Sequence, residues 1–192
     1  MRIMLMAGVV ALFGMACTGS DSGAPDDTAS LSSSGIGDSA MAPGAEGVTV
    51  ALRDSAGREL GTLTLRDDTG GVAVSGRLRD LPQGSHAIHL HETGRCEPPF
   101  ESAGGHWNPT NRQHGTENPQ GPHFGDLPNL TVNADGSVAV QATTPGGTLR
   151  GANALLDADS AAIVIHAQPD DNRTDPAGAA GNRIACGVVS VS

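Results

Sequence analysis

Aromatic residues are almost missing from this sequence. Its 192 residues include no tyrosine, three phenylalanines and one tryptophan. The core must therefore consist mostly of Val, Leu, Ile and Ala, and a composition with 27 glycines and 12 prolines favours short strands and long loops over helices. A chain of this length can bury one ordinary core, so we expect one main domain.

Lysine is also absent, and all 11 basic residues are arginines. They stand against 21 acidic residues, which gives a formal net charge of −10. A protein that binds nucleic acid needs a basic face for the phosphates, so this balance argues against a nucleic-acid partner. Small molecules and ions remain as candidate ligands.

No hydrophobic run is long enough to span a bilayer comfortably. The stretch IMLMAGVVALFGMA follows Arg2 and has the length of the apolar part of an export signal, so we predict a signal peptide at residues 1–16. The junction at Cys17, with a small residue before it and a polar tract after it, resembles a bacterial lipoprotein signal, in which the cysteine is lipidated. An ordinary secretory signal cut nearby is the alternative.

Residues 18–46 are rich in Ser, Gly, Ala and Asp and have almost no large apolar side chains. Burial cannot offset the chain entropy of such a segment, so we predict that residues 17–46 form a lipid-anchored, disordered tether. Residues 47–192 then form the folded domain. We expect an exported protein in the periplasm or cell envelope that meets a membrane only through its anchor.

Short alternating stretches begin at Val48: VTVALRD, LGTLTLRD, GVAVSGRLRD, HAIHLHE, NLTVNADGSVAVQATT, AIVIHA and IACGVVSV. Turn signals separate them, most clearly Asp135-Gly136 between two alternating runs. Seven or eight short strands without a helical period predict an antiparallel sandwich or barrel. Residues 92–126 and 167–183 lack a strand pattern, and loops of this length are usually functional.

Three of the seven histidines lie in one predicted strand, within SHAIHLHETGRC. Side chains alternate along a strand, so Ile88 and Leu90 mark the core face while His89 and His91 share the opposite face. Two imidazoles placed in this way can chelate a metal, and two surface histidines are the alternative. His86 lies on the apolar face, which predicts a buried, hydrogen-bonded histidine and not a ligand.

The other four histidines also lie outside the tether and the first three strands. The first long loop contributes His106, His114 and His123, with Asp126 nearby, and the strand AIVIHA contributes His166. Imidazole and carboxylate ligands favour zinc, copper or iron over calcium or magnesium. Their number exceeds what one tetrahedral site can use, so we predict two adjacent metals that share a ligand.

Five motifs, HAIHLHETGRC, SAGGHWNP, HFGDLPN, AIVIHAQPDD and GNRIACGV, together resemble the copper/zinc superoxide dismutases, particularly their bacterial exported branch. The resemblance covers residues 47–192. It implies the architecture known for that family, an all-β, eight-stranded antiparallel Greek-key barrel or sandwich of immunoglobulin-like type with two long functional loops. It also implies that superoxide is the substrate and that a redox-cycling copper and a structural zinc convert it to oxygen and hydrogen peroxide.

The resemblance assigns the metal ligands residue by residue. The copper ligands would be His89, His91, His106 and His166, and the zinc ligands would be His106, His114, His123 and Asp126. His106 would bridge the two metals and take up a proton that later passes to the peroxide product.

Other residues gain roles from the same resemblance. Arg183 would attract and orient the superoxide anion. Asp170 would join a copper-ligand histidine to a zinc-ligand histidine, and Asp171 competes for that role. Cys96 and Cys186 would form the family disulfide, which suits an oxidising compartment, whereas two buried free thiols are the alternative.

Charge opposes this function at long range. Residues 47–192 contain ten arginines and sixteen acidic residues, a net charge of −6, which repels an anionic substrate. The function therefore requires a local positive field from the metals and Arg183, with Arg173 as a further contributor.

Two other classes of function fit the resemblance less well. A copper-binding or delivery module without turnover should have an incomplete ligand set or lack the arginine. A catalytically inactive structural or interaction domain should have other residues at the ligand positions. All seven ligand positions and Arg183 are present. The resemblance permits a homodimer without fixing the oligomeric state.

If Cys17 is lipidated, the mature chain begins at that residue and carries the mass of an attached lipid. Mass spectrometry of the mature N-terminus measures this directly. An unmodified terminus beyond Cys17 would exclude the lipoprotein assignment and favour an ordinary secretory signal.

Overall fold

The structure is a computed structural model, and it describes residues 47–190. The predicted signal peptide, Cys17 and the predicted tether lie outside the described residues. In residues 47–190 no helix has the length and hydrophobicity that crossing a membrane requires. This part of the chain contains one short 3₁₀ helix, Glu101–Ala103, and nine strands: β1 (Val48–Asp54), β2 (Glu59–Asp68), β3 (Gly71–Leu78), β4 (Gly84–His86), β5 (Ile88–His91), β6 (Leu130–Val132), β7 (Val138–Thr143), β8 (Ala161–His166) and β9 (Arg183–Val189).

Seven of these strands form one antiparallel sheet in the order β5-β8-β9-β1-β2-β3-β7, while β4 and β6 pair separately. The predicted all-β antiparallel fold is confirmed. The segments predicted to lack strands, residues 92–126 and 167–183, connect β5 to β6 and β8 to β9, apart from the first residue of β9. Both loops therefore lie next to β5 and β8 at one edge of the sheet.

Alternating burial explains why the first strands form. β1 buries Val48, Val50 and Leu52 and exposes the residues between them. Leu63 and Leu65 of β2 are fully buried and lie in register with Val50 and Val48. Each fully buried aliphatic side chain contributes roughly 1.5–3 kcal/mol of transfer free energy. These residues belong to one large apolar core that the other strands complete.

The stretch HAIHLHE is two strands, so its prediction as one strand was wrong. β4 pairs with β6, whereas β5 pairs with β8. Ala87 lies between them, and its N–H donates to the carbonyl oxygen of Gln168 at 2.9 Å. This bond to the loop after β8 replaces a regular ladder bond and divides the stretch between the two sheets.

The turn at Asp135-Gly136 is present, but it joins strands that belong to different sheets. The N–H of Gly136 donates to the carbonyl oxygen of Asn133 at 3.0 Å, which closes the turn. The strands on either side then separate, since β6 pairs with β4 and β7 pairs with β3. Local turn chemistry predicted the chain reversal, while the pairing depends on side chains elsewhere in the core.

The loop after β5 lies directly against that strand. The N–H of Trp107 donates to the carbonyl oxygen of Leu90, the N–H of Leu90 to that of Gly125, and the N–H of Gly125 to that of Trp107, each at 2.9 Å. A Cβ at Gly125 would lie 2.2 Å from the oxygen of Leu90, so glycine permits this approach. The loop therefore covers β5, and all four residues of the strand are buried.

A disulfide between Cys96 and Cys186 ties the same loop to β9 across 90 residues of sequence. The pairing agrees with the one that the resemblance implied. Phe100 and Ala103 of the loop pack with residues of β8 and β9 into a second apolar cluster around this bond. Disulfides persist in oxidising compartments, so this one indicates an exported protein.

Replacing both cysteines, Cys96→Ala with Cys186→Ala, should lower the free energy of unfolding by about 2–5 kcal/mol, because the unfolded chain gains the freedom of a long loop. Urea unfolding of the full mature chain measures this. Dithiothreitol is the control, since it should destabilise the wild type and leave the double variant unchanged. Equal stability of both proteins under oxidising conditions would show that the bond does not hold the loop.

Candidate metal centre

Four histidines meet where β5, the end of β8 and the covering loop come together. β5 contributes His89 and His91, β8 ends on His166, and the loop places His106 opposite His91. All four residues are buried. One nitrogen atom from each ring lies within 4.8 Å of the other three, a spacing at which four imidazoles can bind one metal ion.

A second group shares His106 with the first. It consists of three histidines and one carboxylate from the covering loop, all buried, with their ligand atoms within 4.8 Å of one another: His106, His114, His123 and Asp126. The ring centroids of His89 and His106 are 4.0 Å apart, so the two groups adjoin. The structure thus brings together all seven residues that the sequence suggested as ligands.

His86 belongs to neither group. Its ring nitrogens lie 2.9 Å from the carbonyl oxygens of His166 and Pro82, and the residue is buried. The prediction of a buried, hydrogen-bonded histidine is confirmed.

Each histidine of the first group has one ring nitrogen held by a hydrogen bond and one without a partner. The held N–H groups donate at 2.8–3.2 Å to two backbone carbonyls and two carboxylates: Gly104 for His91, Gly181 for His166, Asp170 for His89 and Asp126 for His106. The buried nitrogens without a partner are Nδ1 of His89 and Nε2 of His91, His106 and His166. A buried nitrogen without a partner costs free energy, and a bound metal ion satisfies its lone pair. These four residues therefore fit a metal ion.

Burial keeps these rings in the form that binds metals. It lowers the pKa values of His89 and His91, and it lowers the pKa values of His106 and His166 to about 4. All four rings are consequently neutral at pH 7. A neutral imidazole has the free lone pair that a metal ligand needs.

Asp126 lies at the centre of the second group. Its Oδ1 accepts hydrogen bonds from His106 and His114 at 2.9 and 3.0 Å, and its Oδ2 accepts the N–H groups of Gly115 and His123 at 2.9 Å each. Burial would raise the pKa of Asp126, but these bonds hold it well below its usual range. The group therefore contains an ionised carboxylate, a ligand that suits zinc.

Asp170 connects the two groups. Its Oδ2 accepts the Nε2–H of His89 at 2.8 Å, and its Oδ1 accepts the Nε2–H of His114 at 2.9 Å. Burial opposes the charged form of His114, yet its hydrogen bonds with Asp126 and Asp170 raise its pKa to about 9. Asp171 is exposed and accepts hydrogen bonds from Thr174, so it does not reach the histidines.

Gly178 is a residue that the sequence did not single out. A Cβ there would lie 1.8 Å from Oδ1 of Asp170 and 2.7 Å from Nε2 of His114. The backbone at Gly178 therefore packs against the pair that connects the two groups, and its φ of +62° also favours glycine. The glycine density of PAGAAG was the available signal, but nothing in it distinguishes Gly178 from Gly181.

Arg183 lies beside the first group. It pairs with His166 across β8 and β9, and its guanidinium donates to the carbonyl oxygens of Phe100 and Gly104 at 2.7 Å each. It lines a cleft of about 490 Å³ together with His166, and burial lowers its pKa, although the charge of Glu101 opposes this shift. Arginine remains charged despite such a shift, so the cleft carries a fixed positive charge.

Arg173 does not line the cleft of Arg183 and His166. It is exposed, and its guanidinium forms an ion pair with Glu117 in which Nε donates at 2.8 Å. Glu117 offsets much of its charge, so the expected contribution of Arg173 to the positive field is small.

A sequence profile described as copper/zinc superoxide dismutase (SODC) matches residues 59–189. The chain belongs to the copper/zinc superoxide dismutase family. Superoxide dismutase (Cu-Zn) 1 of Aquifex aeolicus is 45% identical over 137 residues, which cover 69% of this chain and 81% of that protein.

Solved structures of the superoxide dismutase family agree with this fold. A double mutant of a superoxide dismutase-like protein from Bacillus subtilis is 42% identical and aligns with a TM-score of 0.71 over 74% of this chain and 97% of that one. The Cu/Zn superoxide dismutase from Brucella abortus is 31% identical and aligns with a TM-score of 0.62 over 75% of this chain and 99% of that one.

Copper/zinc superoxide dismutases use copper and zinc, and the two groups suit these metals. The first offers four neutral imidazoles, ligands that bind copper well. The second combines three imidazoles with a carboxylate, a donor set typical of zinc, and zinc must displace a proton from His114, whose pKa is raised to about 9. The donor chemistry therefore agrees with the family.

Gly178→Ala should weaken zinc binding by about 10- to 100-fold, because the new Cβ displaces Asp170 from His114 and disturbs the residues that orient the ligands. Competition with a chelator of known affinity measures the change.

Gly57→Ala is the matched control. Its φ of +82° gives it comparable backbone strain, but a Cβ there meets nothing within 4 Å. Gly57→Ala should therefore bind zinc like the wild type. Equal zinc affinities for the two variants would refute the role assigned to Gly178.

Proposed function

We propose that the protein is a superoxide dismutase. Two superoxide anions and two protons give one molecule of oxygen and one of hydrogen peroxide, so one superoxide is oxidised and the other is reduced. The observation that carries this proposal is the convergence of four buried ring nitrogens without hydrogen-bond partners next to Arg183.

The ligands of the two metals follow from the two groups. Copper would be held by His89, His91, His106 and His166, and zinc by His106, His114, His123 and Asp126. When bound, copper supplies the redox chemistry by alternating between two oxidation states, while zinc has no redox chemistry and serves to orient ligands.

The chain itself handles the proton and the anion. Nε2 of His106 is buried and lacks a protein partner, so it can hold the proton that the peroxide product receives. Its ring is kept in place because Nδ1 lies 2.9 Å from Oδ1 of Asp126, which belongs to the same zinc group. The guanidinium of Arg183 attracts and orients superoxide, since its position is fixed by two backbone carbonyls and its side chain is only 15% exposed.

Asp170 acts through other residues. It orients His89 and His114 by accepting their Nε2–H groups, so Nδ1 of His89 is left without a partner and Nδ1 of His114 faces Asp126. Carboxylates in this position fix the ring orientation of metal-bound histidines. Asp170 therefore couples the geometry of the copper ligands to that of the zinc ligands.

A copper-binding module without turnover is the second candidate. It is favoured by the similarity to a protein described only as superoxide dismutase-like. The complete set of four imidazoles, the second metal group and the arginine at the cleft favour the enzyme, because a protein that merely stores or delivers copper needs neither zinc nor a fixed positive charge for a substrate anion.

We also propose that the protein is an exported lipoprotein of the periplasm or cell envelope. The proposal rests on residues 1–46, read as a signal peptide up to residue 16 and a tether anchored through Cys17, and the disulfide supports export. The folded domain would begin at residue 47. A homodimer is compatible with the function and is not required by it.

Superoxide dismutation by the copper- and zinc-loaded protein, with both metals quantified on the same sample, tests the function. We expect one copper and one zinc per chain and rapid dismutation. Full loading of both metals without dismutation would overturn the enzyme and leave the binding module.

Arg183→Ala should lower kcat/KM for superoxide by about 10- to 100-fold at low ionic strength, because a desolvated charge on the substrate path is lost. Pulse generation of superoxide with optical detection measures the rate. Arg173→Ala is the matched control, since it removes the same charge from an exposed ion pair, and it should change the rate less than about twofold. An unchanged rate for Arg183→Ala would remove the arginine from the mechanism.

A further inference from the structure

The cleft of Arg183 contains an acidic residue that opposes its charge. Oε2 of Glu101 lies 3.9 Å from Nη2 of Arg183, and both residues line the same cleft as His166. The side chain of Glu101 is 76% exposed and that of Arg183 is 15% exposed. The carboxylate is thus open to solvent at this cleft, whereas the guanidinium beside it is largely covered.

Glu101 does not hold Arg183 in place. The N–O separation of 3.9 Å is too long for a hydrogen bond. Arg183 already donates to the carbonyl oxygens of Phe100 and Gly104 at 2.7 Å each, and these acceptors belong to the backbone. A change of the Glu101 side chain therefore alters the charge beside Arg183 without removing the contacts that position it.

Asp175, the other acidic residue of the cleft, holds a loop in position. Oδ1 of Asp175 accepts the backbone N–H of His114 at 2.7 Å, so its carboxylate is tied to the loop that carries the second metal group. Among the contacts described for residues 47–190, the carboxylate of Glu101 faces only Arg183. Glu101 is therefore the acidic residue of this cleft whose charge can be removed without breaking a hydrogen bond described for these residues.

We propose that Glu101 is a specificity-determining residue that partly offsets the charge of Arg183 and so lowers the affinity of the cleft for multiply charged anions more than for singly charged ones. The proposal rests on the proposed function, since it concerns how superoxide reaches the same site. Coulomb repulsion grows in proportion to the charge of the anion. A dianion such as sulfate or phosphate therefore meets twice the repulsion from Glu101 that superoxide meets.

The size of the effect depends on how close the anion comes to Glu101, whose side chain is exposed to water. At the dielectric constant of water and physiological salt, two unit charges about 4–7 Å apart change an equilibrium constant by about two- to fivefold. For a dianion the factor is squared, to about four- to 25-fold. Glu101 would thus slow superoxide modestly and weaken the binding of polyvalent anions by a larger factor.

Glu101→Gln tests the proposal in the copper- and zinc-loaded full chain at constant ionic strength. Azide serves as the singly charged probe, with its Kd measured by absorbance titration of the copper site, and sulfate serves as the doubly charged probe, measured as a competitor of azide. We expect Glu101→Gln to bind azide about two- to fivefold more tightly and sulfate about four- to 25-fold more tightly. The kcat/KM for superoxide should rise by the same factor as the azide affinity.

Glu97→Gln is the matched control. Glu97 lies four residues earlier, its side chain is 73% exposed, and its carboxylate is 3.7 Å from Arg95 in a surface ion pair that does not line this cleft. The two variants change the net charge equally. Glu97→Gln should therefore leave both anion affinities within about 1.5-fold of the wild type, because the charge it removes is screened from the cleft.

Glu101→Asp keeps the charge and should stay close to the wild type, whereas Glu101→Arg should strengthen sulfate binding beyond Glu101→Gln. Equal effects of Glu101→Gln and Glu97→Gln, or equal factors for azide and sulfate, would overturn the proposal. Absent dismutation in the metal-loaded wild type would overturn the proposed function instead, and the comparison of azide with sulfate would still decide the role of Glu101.

Discussion

The contact between β5 and its covering loop is the constraint on which the metal centre depends. Three backbone hydrogen bonds among Leu90, Trp107 and Gly125 fix the loop to the strand. Because the loop excludes water from β5, burial lowers the pKa values of His89 and His91 and keeps their rings neutral. Without the loop these would be two solvated histidines on an edge strand, so one packing contact creates both the chemistry and the geometry of the site.

Buried carboxylates then connect the parts that this contact brings together. Asp170 comes from the loop after β8, and it accepts hydrogen bonds from His89 of β5 and His114 of the covering loop. Asp126 binds two histidines and two backbone N–H groups within the covering loop. The acidic residues thus act in two ways. The two buried carboxylates hold the histidines in position, while exposed carboxylates such as Glu101 change the electrostatic potential at the surface of the cleft.

The sequence predicted much of this arrangement because periodicity and ligand chemistry are local properties. Alternation predicted β1 with its bounds, and the grouping of histidines with Asp126 predicted two adjacent sites. The division of HAIHLHE at Ala87 could not be read from alternation, since it depends on a hydrogen bond to Gln168 in a distant loop. The contact of Gly178 with Asp170 was equally hidden, because a glycine required by a neighbour looks like any other loop glycine.

The near absence of aromatic residues has a consequence for observing the protein. Trp107 is its single tryptophan and there is no tyrosine, so the emission excited at wavelengths that phenylalanine does not absorb comes from one side chain. That side chain is 5% exposed, directly follows His106 and packs edge-on against Phe124 with ring centroids 5.4 Å apart. Its emission wavelength therefore reports whether the loop is docked on β5, and quenching of the same signal by added copper would report metal binding by the group that contains His106. The chain contains its own optical probe for the step that assembles the centre.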